Sequence, residues 1–78
     1  MVMGKVKQSI LFVFDIDDHL VTMWKNEVQG HTVFIASVRH RKVKDWYSLS
    51  SQKNLLDSVC EAFLFVTAKK DVQHYAHY

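Results

Sequence analysis

Apolar positions fall into blocks separated by short polar stretches. Ser9-Ile10-Leu11-Phe12-Val13-Phe14-Asp15-Ile16 is short, rich in β-branched and aromatic residues, and followed by acids. That composition predicts a strand. In the next block, Leu20, Trp24 and Val28 recur at i, i+4 and i+8, with Val21 beside them. Asp17 or Asp18 stands where a side-chain oxygen caps a helix, and Gly30 stands where a C-terminal cap belongs. The pattern predicts a helix. A strand from Leu20 to Trp24, pairing back on the first, is the competing reading, because Val21, Thr22 and Trp24 also suit strands.

Thr32–Val38 and Asp45–Leu49 read as two strands of a hairpin around the basic stretch Arg39–Lys44. Ser50 or Ser51 then caps a helix with Leu55, Leu56, Val59, Ala62 and Phe63 on one face. Phe63–Ala68 has strand composition and equally suits an extension of that helix. The remainder is polar and aromatic, and 71–78 is expected to be a loose tail.

This order predicts one α+β domain over 1–78, of ferredoxin-like βαββαβ type. It would have one four-stranded antiparallel sheet, order 4-1-3-2, with two helices on one face. The alternative is a β-meander packed on one C-terminal helix. Both faces of the first and last strands are apolar. A sheet with helices on one side would then show Phe12, Phe14, Phe65 and Trp46 or Tyr47 on the other. An exposed aromatic face of that kind marks a binding or dimer surface.

Composition narrows the classes. Seventy-eight residues make one small domain. With 49% hydrophobic and 23% charged residues, the chain is globular rather than disordered. Ten Lys/Arg against eight Asp/Glu leave a net charge of +2, too small to demand a polyanionic partner. The single cysteine, Cys60, excludes an intramolecular disulfide and a Cys-based metal site. A small domain without disulfides points to an intracellular setting, cytoplasmic or nuclear. The longest apolar runs, such as Ile10–Phe14, hold five residues, against roughly 20 for a membrane span, so no membrane partner is expected. There is no Gly-rich phosphate loop, Ser-His-Asp arrangement or zinc signature, so no cofactor is expected.

Leu11-Phe12-Val13-Phe14-Asp15-Ile16 alternates aliphatic and aromatic residues, and Lys44-Asp45-Trp46-Tyr47-Ser48-Leu49 follows 33 positions later. Ser50-Ser51-Gln52 leads into an apolar helix, and Leu64–Lys70 closes the set. This layout resembles the RNA recognition motif, with its two signature strands, although Asp45 and Ser48 depart from the second signature. The resemblance implies that Phe12 and Trp46 or Tyr47 stack under bases, with Phe14 and Phe65 on the same face. It also implies that Arg39, Arg41, Lys42 and Lys44 hold phosphates. Single-stranded RNA or DNA is the partner it suggests. The alternative is a protein-interaction or inhibitor module, for example a phage- or plasmid-type regulator of a host complex, or a homodimer through the same apolar face. A solvated charged loop explains the basic run equally well.

Phe14-Asp15-Ile16-Asp17 is similar to the nucleophile loop of haloacid-dehalogenase-type phosphatases. That likeness would make Asp15 a nucleophile and Asp17 an acid/base beside a metal. A strand ending in Asp15 also resembles the start of small ferredoxin-like dimeric nucleases of CRISPR systems. The chain is too short for the phosphatase domain, and acids that end a strand and cap a helix account for the same letters. No catalytic residue is therefore assigned. His74 and His77 lie three apart without a third ligand nearby, so no metal site is assigned either. Cys60 is expected as a small core residue.

Overall fold

The computed structural model describes residues 6–75, with side chains over 7–68. Three long strands lead the chain: β1 (Val6–Ile16), β2 (His19–Val28) and β3 (His31–His40). Two-residue turns join them. Asp17 and Asp18 have φ of 43° and 63°, and Gln29 and Gly30 have φ of 52° and 79°. Positive φ at both central positions is the type I′ hairpin geometry, whose twist matches that of the flanking strands. Asp tolerates the left-handed region because its short side chain bonds locally. The residues that look like the two caps of a helix are thus the two turns of a meander.

That observation overturns the helix over the second block. Leu20, Trp24 and Val28 are four apart, and a spacing of four repeats on one face of a strand as well as on one stripe of a helix. Pairing decides between the two periods. β2 has partners on both sides, with Val21 opposite both Phe14 and Val38. A helix there would leave β1 without a ladder and β3 with only the two-residue β4.

β4 is only Tyr47–Ser48, shorter than the strand expected over 45–49. The sheet is antiparallel throughout, in the order β1-β2-β3-β4 rather than 4-1-3-2. One helix follows, α1 (Leu55–Tyr75). The ferredoxin-like expectation is therefore corrected. Among the described residues there is one helix, and the architecture is a β-meander with a C-terminal helix. Residues 63–68, of strand composition, lie inside α1. No Gly or Pro interrupts the chain between Cys60 and Tyr75, and Val66 continues the face begun by Leu55, Val59 and Ala62. α1 runs through Tyr75, so 71–75 is helical, while 76–78 lies outside the described residues. No helix among the described residues is long and apolar enough to cross a membrane.

The start of α1 also differs from the expected Ser50 or Ser51. Asn54 is the cap: its Oδ1 accepts from the Leu56 amide at 2.8 Å, and Asp57 adds a negative charge to the first turn. Residues 49–52 instead run beside β3. The Leu49 amide donates to the Ala36 carbonyl at 2.9 Å, and Phe34 and Gln52 exchange backbone bonds at 2.7 and 2.8 Å. Ser50 Oγ then donates to Glu61 at 3.1 Å, tying this segment to the helix.

α1 packs mainly on β3 and less on β2. The core is Ile16, Val21, Met23, Ala36, Val38, Ala62 and Val66. Ala36, Ser58 and Ala62 are small and buried, which lets helix and sheet approach closely. Leu56, expected on the buried face, points outward instead, and Phe63 is half exposed at the margin of that face. Cys60, expected in the core, is exposed.

Candidate interaction surface

Register assigns each strand residue to a face, because directly opposed residues in an antiparallel pair point the same way. Phe12, Phe14 and Ile16 lie opposite Met23, Val21 and His19, which are buried. These three therefore share the helix-covered face. Between Ile10 and Phe12 the register shifts at a β-bulge. One extra residue reverses the alternation. Ile10, before the bulge, lies opposite Trp24, and Val13, after it, lies opposite Thr22. Both belong to the helix-free face.

The expected aromatic platform is consequently divided. Phe12 and Phe14 are neighbours, with ring centroids 5.9 Å apart, and Phe14 stacks on Phe63 of α1 at the same separation. Tyr47 packs against Phe65 of α1 at 5.7 Å. Three of the five named aromatics, Phe14, Tyr47 and Phe65, thus take part in sheet–helix packing, and Phe12 packs on Phe14. Trp46 stands apart from them, with the Arg39 guanidinium 5.3 Å from its ring centroid. Such a contact contributes about 0.5–1 kcal/mol at an exposed site.

The basic residues gather at one end of the sheet beside acids. Arg39 donates to the Val43 carbonyl at 3.0 Å, which closes the loop between β3 and β4. Arg41 forms an ion pair with Asp15 at the end of β1. Lys42 and Lys44 are exposed in that loop. Asp17 and Asp18 sit in the adjoining hairpin turn, where the Arg41 amide donates to the Asp18 carbonyl at 2.9 Å. Arg41 is therefore tied to an acid rather than presented alone.

Asp15 and Asp17 do not form a metal centre. Asp15 is held by Arg41, and no group of three or more His, Cys, Asp or Glu among the described residues is placed to hold a metal ion. His19 and His40 are brought edge to face at 4.9 Å beside a cavity of about 80 Å³. His19 Nδ1 donates to the Asp17 carbonyl at 2.8 Å, and His40 Nδ1 accepts from the Lys42 amide at 3.1 Å. Backbone groups thus occupy one nitrogen of each ring.

What stands out is the outer edge of β1. Among the described residues, β2 is its only neighbour in the sheet. Ile10, Leu11, Phe12 and Val13 are 55%, 38%, 42% and 51% exposed. They present apolar groups on both faces of an unpaired edge. Next to them on the helix, Phe63, stacked on Phe14, is half exposed. The sequence signal for this surface is the unbroken run Ile10–Phe14, which lacks the polar alternation of a half-buried strand. The residues it adds to the expected site are Ile10, Leu11, Val13 and Phe63. No protein-family model, no curated protein and no solved structure matches the chain.

Proposed function

We propose that this chain is a non-catalytic protein-interaction module that accepts a partner's strand along the outer edge of β1. One observation carries the reading: a strand with the composition of a central strand occupies the edge of the sheet. Edge strands are ordinarily protected by charge, proline, brevity or a bulge, because their free N–H and C=O groups template further pairing, and of these β1 has only the bulge between Ile10 and Phe12. β1 is eleven residues long, and its middle, from Gln8 to Phe14, carries neither charge nor proline. Strand addition satisfies the backbone groups and buries the apolar side chains in the same step.

The test is a titration of the labelled protein with an extended Val/Ile/Thr-rich peptide, followed by NMR. Shift changes concentrated on Gln8–Phe14 are the expected result. Changes confined to other elements, or none, overturn the reading.

Binding of single-stranded nucleic acid is the second reading. It is favoured by Arg39 over Trp46 with exposed Lys42 and Lys44 alongside. One aromatic with adjacent cations offers one stacking site, worth about 1–3 kcal/mol. Anisotropy of labelled single-stranded RNA and DNA at two salt concentrations, repeated with Trp46→Ala, tests it. Salt-sensitive binding lost in the variant supports this second reading.

A further inference from the structure

We draw no further inference here: the strongest candidate, the helix-free face of the sheet where Ile10, Trp24 and Ile35 lie side by side next to the open edge of β1, is an unpartnered apolar surface, and nothing in the structure shows what covers it.

Discussion

Phe14 of β1 stacks on Phe63 of α1, with ring centroids 5.9 Å apart and planes inclined by 27°. α1 lies mainly over β3, so this stack is a reach from the helix toward the far side of the sheet. It props the edge strand against the helix while leaving Phe12 and Phe63 half exposed. Phe63→Ala is expected to lower stability by about 1–2 kcal/mol, below the cost of truncating a fully buried Phe. Urea denaturation checks it. Leu64→Ala beside it, at a more exposed position, should change stability by less than about 0.5 kcal/mol. Equal losses at the two positions would show that the stack adds nothing.

Gly30 closes the second hairpin at φ 79°. A Cβ placed there meets no atom within 4 Å, so any penalty for a side chain is in the backbone alone. Gly30→Ala should cost about 1 kcal/mol. Gly30→Asn should recover part of it, because Asn adopts the left-handed region more readily. Thermal or urea unfolding of the pair gives both numbers. Identical behaviour of Ala and Asn would mean that this conformation does not set the cost.

Ser58 is buried between α1 and the sheet, and its Oγ has no hydrogen-bond partner among the described residues. An unsatisfied buried hydroxyl is a net cost. Ser58→Ala keeps the small volume that allows α1 to approach the sheet and should stabilise the fold by about 1 kcal/mol. A loss of stability in denaturant titration would show that the hydroxyl is bonded in solution.

Asn54 caps α1 through the Leu56 amide. Asn54→Ala should destabilise by about 1 kcal/mol, and Asn54→Asp should be nearly neutral. Ser50→Ala and Ser51→Ala should cost less, since neither hydroxyl lies at the helix start. If Ser51→Ala proved as costly as Asn54→Ala, the cap assignment would fail.

The sequence by itself determined the positions of β1 and β3, the onset of an apolar helix after residue 50, and the α+β class. These are signals read over short windows: β-branched aromatic runs, and an i, i+3, i+4 stripe through Leu55, Val59 and Ala62. It also carried the five-residue apolar run that makes β1 unusual at an edge. Tertiary structure decided what local pattern could not. Leu20, Trp24 and Val28 satisfy helix and strand periods alike, so only ladders to β1 and β3 select the strand. Residues 63–68 have strand composition, yet continuity with the buried stripe ending at Val66 keeps them helical. The aromatic set Phe12, Phe14, Trp46, Tyr47 and Phe65 was visible as a set, but its dispersal, with Phe14 on Phe63, Tyr47 on Phe65 and Trp46 under Arg39, depends on the single helix, and a one-residue bulge puts Ile10 and Val13 on the same face. A bulge changes which way every later side chain points, and no residue type announces it. The exposed edge likewise follows from strand order, which is a property of the assembled sheet and not of any one strand.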